Sequence, residues 1–259
     1  VLSREVPINE IEYIRNNCNV DLEIFIHGAL CISYSGQCLF SSLVGGRSGN
    51  RGKCAQPCRL PYELLECDNS HEKAIDSGYL LSPRDLCSLE YLPELVNSGI
   101  NSFKIEGRMK TPEYVATVTK IYRKYINLAL SGNNYTIDEA DKKELLQVFN
   151  RGGFSDGHLS IEANHNLIYS EKPNNIGLYL GNVSNYNSSK GHITLKLNEP
   201  LGIGDSISID GETGKYTISE LIDYLENYNV LYDNSIKSLS DSSEMVEYTE
   251  NLLSLYSEM

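Results

Sequence analysis

No run of apolar residues in this 259-residue chain approaches the ~18 that a membrane-spanning helix requires, so no membrane span is expected. Nor does the sequence open on a charged and then apolar leader with a small-residue cleavage site, and the expected location is therefore cytoplasmic. Basic residues are scarce: 22 Lys and Arg stand against 35 Asp and Glu, a formal net charge of −13, which argues against a surface broadly suited to nucleic acid. Disulfides are rare in a reducing compartment, and seven cysteines cannot all pair. One local absence is more informative. From Ile24 to Tyr62 there is no Asp or Glu, yet Arg47, Arg51, Lys53 and Arg59 all lie in that window.

Four cysteines share this acid-free stretch: Cys31, Cys38, Cys54 and Cys58, with Cys87 following later. Thiols in electropositive surroundings are expected to have lowered pKa values, and the thiolate is the form that binds metal or attacks a substrate. A nucleophile needs one thiol, whereas four clustered ones favour a metal or cluster site. Because Cys31 lies four residues after His27, a Cys/His dyad is the alternative. A further alternative for His27 is packing of its ring beneath the cysteine loop. His71-Glu72 is followed by Ile75 where a zinc protease needs its second His, so that motif fails. Cys18 and Cys67 have no motif support and read as small hydrophobes.

Periodicity suggests β/α units. Val1-Leu2-Ser3 reads as the end of a strand, and Ile8, Ile11 and Ile14 mark a helix face after Pro7. Leu22 to Ile26 is a second strand, Tyr79-Leu80-Leu81 a third, and Ser102 to Ile105 a fourth. Leu86, Leu89, Leu92, Leu95 and Val96 mark a helix closed by Gly99, which Pro93 either breaks or restarts. Thr111 as N-cap with Pro112 behind it opens a helix whose stripe is Val115, Val118, Tyr122, Tyr125, Ile126 and Ala129, ended by Gly132. Another helix spans about Ile137 to Asn150. From Asn175 the pattern alternates with period two, at Gly177 to Leu180, His192 to Leu197 and Ser206 to Ile209. Met245 to Leu255 reads as a short amphipathic helix.

The expected fold class is α/β and then β. Residues 1–135 would form a partial, half TIM-like β/α barrel carrying the Cys-rich loop, 136–174 a helical linker, and 175–259 a small antiparallel β-barrel with an acidic extension. In β/α barrels the chemistry sits on loops after the carboxyl ends of the strands. His27, Cys31, Arg84, Asp85, Cys87, Glu106 and Arg108 all fall there. A half-barrel leaves sheet edges uncovered, so a missing N-terminal half-barrel or another chain is an expected partner. Lys104 to Lys110 sets a carboxylate among cations: Glu106 and Arg108 would pair across the rim, or Arg108 or Lys104 would grip an anion. Arg4-Glu5 and Arg84-Asp85 repeat that pattern, and Phe149-Asn150-Arg151 reads as a junction.

The segment Glu23-Ile24-Phe25-Ile26-His27-Gly28-Ala29-Leu30-Cys31 through Cys38 to Ser41 resembles the signature of the peptidase U32 family. Arg51 to Arg59, Leu92 to Leu95, Ser102 to Lys110 and Phe149 to Phe154 are similar to that family in the same order, so the resemblance covers roughly residues 1 to 180. It implies one of two activities: collagenase-like peptide hydrolysis, or iron–sulfur-dependent, oxygen-independent hydroxylation, for example of a base in tRNA or rRNA, with prephenate as co-substrate. It also implies a [4Fe–4S] cluster on Cys31, Cys38 and Cys54, with Cys58 or Cys87 as the fourth ligand; zinc is the chemical alternative. His27, Glu106 and Arg108 would be catalytic, and Lys104, Arg84 and Arg4 would hold the co-substrate. RNA could dock on the basic island at 47–59, although those cations could instead balance a thiolate cluster.

Overall fold

The computed structural model describes residues 1–68, 71–160, 166–187, 192–201, 207–208, 210–211, 214–215 and 230–232. The chain divides into two compact units, Val1–Leu178 and Tyr179–Met259.

In the first unit the elements in chain order are α1 (Ile8–Asn17), β1 (Glu23–Ala29), α2 (Phe40–Gly45), β2 (Tyr62–Asp68), β3 (His71–Gly78), β4 (Asp85–Cys87), α3 (Leu92–Asn97), β5 (Ser102–Ile105), α4 (Pro112–Leu130), α5 (Glu139–Val148) and β6 (Phe154–Ser155). Its central sheet has the order β5-β1-β4-β6. The sheet is mixed: β5 runs parallel to β1 and β6 parallel to β4, but β4 runs antiparallel to β1, with His27 opposite Cys87. The fold is therefore α/β, and among the described residues none of the sheets closes into a barrel.

Two strand expectations are corrected. Tyr79 to Leu81 form a turn, and the strand that joins the sheet is Asp85–Cys87. Val1 to Ser3 are not a strand, although the Leu2 N–H donates to the Glu23 carbonyl at 2.8 Å. Between β1 and β4 stands an antiparallel hairpin, β2 on β3, that the sequence did not announce. Tyr62-Glu63-Leu64-Leu65-Glu66 lacks clean alternation, and Leu64, Leu65 and Ile75 stay exposed. The leucine pattern, expected to be a helix broken or restarted at Pro93, is split: Leu86 belongs to β4, Leu89–Tyr91 make a 3₁₀ turn, and Pro93 lies in the first turn of α3.

The best-marked helix is the one with complete end signals. The Thr111 hydroxyl accepts from the Tyr114 N–H at 3.4 Å, Pro112 takes the first helical position, and Gly132 follows the end with φ +67°. Its buried face is Tyr114, Val118, Ile121, Tyr122 and Tyr125, whereas Val115 is 47% exposed. That stripe starts one residue earlier than the expected one. Burying each of these side chains is worth about 1.5–3 kcal/mol, against Ile24, Ile26, Leu86, Leu89, Leu92 and Leu95. Gly28, with φ +107°, is required inside β1, because a Cβ there would lie 2.4 Å from the Glu106 carbonyl oxygen.

In the second unit, β7 (Gly181–Asn187), β8 (His192–Leu197), β9 (Asp210–Gly211), β10 (Gly214–Lys215) and β11 (Val230–Tyr232) make a three-stranded sheet, β11-β8-β7, and a two-stranded one, β10-β9. The strand expected at Gly177 to Leu180 instead begins at Gly181. Of the expected Ser206 to Ile209 strand only 207 and 208 are described, and they are not in a strand; the Met245 to Leu255 helix lies outside the described residues.

Candidate functional site

Cys31 and Cys54 are exposed, and Cys38 and Cys58 half-buried, on the loop between β1 and β2. Burial pushes the Cys58 thiol up and the Arg59 charge pulls it back, while Cys31, Cys54 and Cys38 each raise it further through their own charge. Cys58 is thus within electrostatic reach of the other three loop thiols. The lowered pKa expected from the basic surroundings is not met at Cys58, because burial and the neighbouring thiols outweigh one guanidinium. The donor set suits a four-thiolate cluster or zinc: four soft ligands, with no Asp or Glu from Ile24 to Tyr62 to compete. Among the described residues no three His, Cys, Asp or Glu side chains are gathered tightly enough to hold a metal ion in this arrangement.

Cys87 belongs to a different neighbourhood. It ends β4, lies 3.6 Å from the Tyr122 hydroxyl, and its thiol is pushed up by burial. It also lines a cleft of about 250 Å³ with Glu90, Tyr91, Phe154, Ser155, Asp156 and Asn166. The charges it senses are Lys142 and Glu90; the other four thiols do not figure among its leading influences.

His27 is 2% exposed, with its ring centroid 5.3 Å from those of Tyr122 and Phe154 and 6.0 Å from that of Tyr114. Its Nδ1 is 3.2 Å from the Tyr122 hydroxyl, whose proton goes to the Ile26 carbonyl at 2.9 Å. A hydroxyl has one proton to give, so with that proton on the Ile26 carbonyl an Nδ1–H imidazole is the tautomer that donates to Tyr122. Burial, helped by the Lys110 charge, pushes the pKa of His27 down to about 3. It stays neutral at physiological pH and is almost fully buried. The sequence pattern had left a polar role and a packing role open, and the surroundings are those of packing.

The rim charges pair differently from expectation. Glu106 accepts from Arg4 at 3.1 Å, not from Arg108, and Arg4 lies over the Phe25 ring at 3.8 Å. Lys104 pairs with Glu23 at 3.1 Å. Arg108 is exposed and donates to the Gly52 carbonyl at 3.2 Å, which joins it to exposed Arg47, Arg51 and Lys53. Arg84 lies over the Tyr169 ring, with its Nε buried and unpartnered. Thus Arg4, Lys104 and Glu106 each have a partner within the chain.

Arg59 turns inward, away from the island assigned to it. It donates to the Ser82 hydroxyl at 2.7 Å, to the Pro83 carbonyl and to the Leu30 carbonyl at 3.1 Å, binding Cys58's neighbour to the residue before Cys31. Burial pushes its pKa down to about 10, with Arg151 lowering it and Cys58, Asp85 and Cys31 raising it. Arg151 donates to Asp85 Oδ1 at 2.8 Å, and Lys110 Nζ is 3.7 Å from Asp85 Oδ2. Asp85 is 1% exposed. This cluster of Arg59, Lys110, Arg151 and Asp85 is what the sequence pattern did not reveal, since Arg151 and Asp85 are 66 residues apart and no local spacing connects them.

The sequence profile of peptidase family U32 matches residues 1–168. The chain belongs to peptidase family U32. Among its relatives, a protein of Methanocaldococcus jannaschii named as an uncharacterised protease is 42% identical over 225 residues, 82% of this chain and 55% of the relative. The tRNA hydroxylation protein P1 of Bacillus subtilis is 34% identical, covering 86% of this chain and 55% of its own length. A 23S rRNA 5-hydroxycytidine synthase of Escherichia coli is 35% identical, covering 81% of this chain and 32% of its own length. This U32 chain thus spans about half the length, or less, of these curated relatives. No solved structure matches it significantly. No described helix of this U32 protein is long and apolar enough to cross a membrane.

Proposed function

We propose that this chain is the thiol-bearing part of a U32 enzyme that hydroxylates a base in tRNA or rRNA without oxygen, using a [4Fe–4S] cluster on Cys31, Cys38, Cys54 and Cys58. The observation that carries this reading is the placement of four cysteines on one loop free of Asp and Glu, edged by exposed Arg47, Arg51, Lys53 and Arg108. A bound cluster would supply one-electron transfer. The chain's own residues have three tasks. Arg59 braces the loop through the Leu30, Ser82 and Pro83 contacts, which fixes Cys31 relative to Cys58. The exposed cations offer phosphate contacts on a chain that otherwise repels RNA, so binding should be confined to this face and should weaken with salt. The aromatic packing of His27 keeps the strand end beneath the loop rigid and dry.

A peptidase reading has in its favour the M. jannaschii relative, named as an uncharacterised protease. Against it, His27 is buried and neutral and offers no accessible base for the exposed Cys31. Anaerobic purification with an absorption spectrum and iron and sulfide counts separates the readings. Four irons and four sulfides per chain, with tRNA retained on the protein at low salt, are expected for the cluster. A preparation free of iron that cleaves peptides in the presence of zinc would overturn it.

A further inference from the structure

Tyr34 stands between two of the loop thiols, three residues after Cys31 and four before Cys38. It is 73% exposed, and among the described residues no hydrogen bond or ring contact engages its side chain. The backbone beneath it is held from both sides. Glu5 accepts from the Ser35 N–H at 2.8 Å and from the Ser35 hydroxyl at 3.0 Å, and Asn50 Nδ2 donates to the Gly36 carbonyl at 2.9 Å. The Gln37 N–H closes the turn on the Tyr34 carbonyl at 3.1 Å. A large ring left in water on a braced backbone loses little further freedom when a partner covers it.

Asn50 also sets this turn beside the exposed cations. It belongs to the 3₁₀ turn Gly49–Arg51, around which the chain folds back tightly: the Lys53 N–H donates to the Ser48 carbonyl at 3.0 Å, and Arg47 Nε to the Lys53 carbonyl at 3.0 Å. Arg108 joins from the loop after β5 through the Gly52 carbonyl at 3.2 Å. Residues 34–37, residues 47–53 and Arg108 therefore meet, and Arg47, Arg51, Lys53 and Arg108 are all exposed. Four cations give few phosphate contacts. Their salt slope on a single strand is no steeper than about −3, which is weak attraction for a chain of net charge −13. An aromatic face supplies what the charges lack, because a base stacked on it gains affinity that salt does not screen. Only an unpaired base can offer its face, since bases inside a duplex are already stacked on their neighbours.

We propose that Tyr34 is a stacking platform for an unpaired RNA base, with the adjoining phosphates on Arg51 and the cations around it. The inference rests on the RNA reading above and adds to it the residue that holds the base and the strand state it selects. A duplex reaches the cations but has no free base face for the ring, so the platform favours loops and single-stranded ends. Its place between Cys31 and Cys38 sets the stacked base beside the thiols. Ile32 and Leu39 on the same segment are 38% and 59% exposed, so a plain apolar contact is the competing account. The two differ in what they need from residue 34: stacking needs a flat ring, and an apolar contact needs only bulk.

The test is fluorescence anisotropy of the anaerobically purified chain with three labelled probes: a short oligoadenylate, an abasic strand of the same length, and a blunt RNA duplex. Oligoadenylate should bind more tightly than the abasic strand by about tenfold or more. Tyr34→Ala and Tyr34→Leu should each remove most of that margin without changing the salt slope, and Tyr34→Phe should keep it. The duplex should bind through the cations alone, with an affinity that Tyr34→Ala does not alter. Arg51→Gln should do the converse and lower the single-strand salt slope by about 0.7. Because the chain has no Trp, Tyr34→Trp adds a single reporter, whose emission should be quenched saturably by oligoadenylate and not by the abasic strand. The platform is overturned by equal affinity for oligoadenylate and the abasic strand, or by a Tyr34→Leu variant that binds as the wild type does. A Tyr34→Ala variant that weakens duplex and single strand alike also overturns it, as does Tyr34→Trp emission that oligoadenylate leaves unchanged. If Arg51→Gln still flattens the salt dependence in those cases, the platform falls and the RNA reading stands. If no probe binds, both fall, and iron and sulfide counts on the same preparations decide the cluster separately.

Discussion

Replacing His27 by Phe separates the packing role of the ring from its protonation. Phe keeps an aromatic ring against Tyr114, Tyr122 and Phe154 but cannot donate to the Tyr122 hydroxyl. That hydroxyl still gives its proton to the Ile26 carbonyl and accepts from the Ser88 N–H at 3.0 Å, so the change removes one hydrogen bond and leaves no orphan. The expected cost at pH 7.5 is about 1 kcal/mol. At lower pH the sign reverses. In the native chain the pKa is pushed down to about 3, while an unfolded imidazole titrates near about 6.5. The unfolded state therefore takes up a proton first, and wild-type stability is lost as the pH falls through this window, by up to about 1.4 kcal/mol per pH unit. Between pH 6.5 and 5 this amounts to about 2 kcal/mol, which the variant does not lose. Urea unfolding at half-unit pH steps should give curves that cross near about pH 6, with the variant the more stable at pH 5. Parallel curves would refute the reasoning, because they would show that His27 titrates alike in both states.

Three further outcomes follow from the same geometry. Cys58→Ser should lower the iron or cobalt bound per chain while Cys87→Ser leaves it unchanged, as metal analysis after anaerobic reconstitution would show, since Cys58 senses the other three loop thiols and Cys87 faces Tyr122. Asp85→Ala should destabilise by about 3–5 kcal/mol in urea unfolding, because it leaves buried cations uncompensated, and a loss below about 1 kcal/mol would contradict the burial assigned to that carboxylate. Gly28→Ala should cost more than the ~1 kcal/mol typical of a point substitution, because its Cβ would meet the Glu106 carbonyl oxygen and its φ is +107°; an unchanged melting temperature would show that β1 and β5 can shift apart.

Much of the local structure is legible in the residues themselves. Thr111-Pro112-Glu113 and Gly132 mark both ends of α4, because caps act within one turn and leave a local signature. Ser102–Ile105 is a strand as its composition suggests, and the acid-free run that holds four cysteines needs no fold to be seen. Other features depend on what packs against them. The direction of β4 against β1 is decided by a long excursion through the cysteine loop and the β2–β3 hairpin, and pattern alone does not specify how such an excursion returns. Whether His27 is a base or a packed ring depended on three aromatic residues from α4 and β6, and a sequence reading cannot weigh burial.

The sequence by itself determined the chemistry available: four soft thiols without a competing carboxylate, cations gathered around them, and the ordered blocks that make the chain a U32 protein. Only the tertiary structure decided how that chemistry is distributed. It brought Cys58 within electrostatic reach of Cys31, Cys38 and Cys54, turned Cys87 toward Tyr122, paired Glu106 with Arg4, and carried Arg151 across 66 residues to Asp85. The physical reason is range. Residue type and short spacing encode which groups can ligate or cap, but charge compensation and burial are sums over neighbours that only the folded chain brings together.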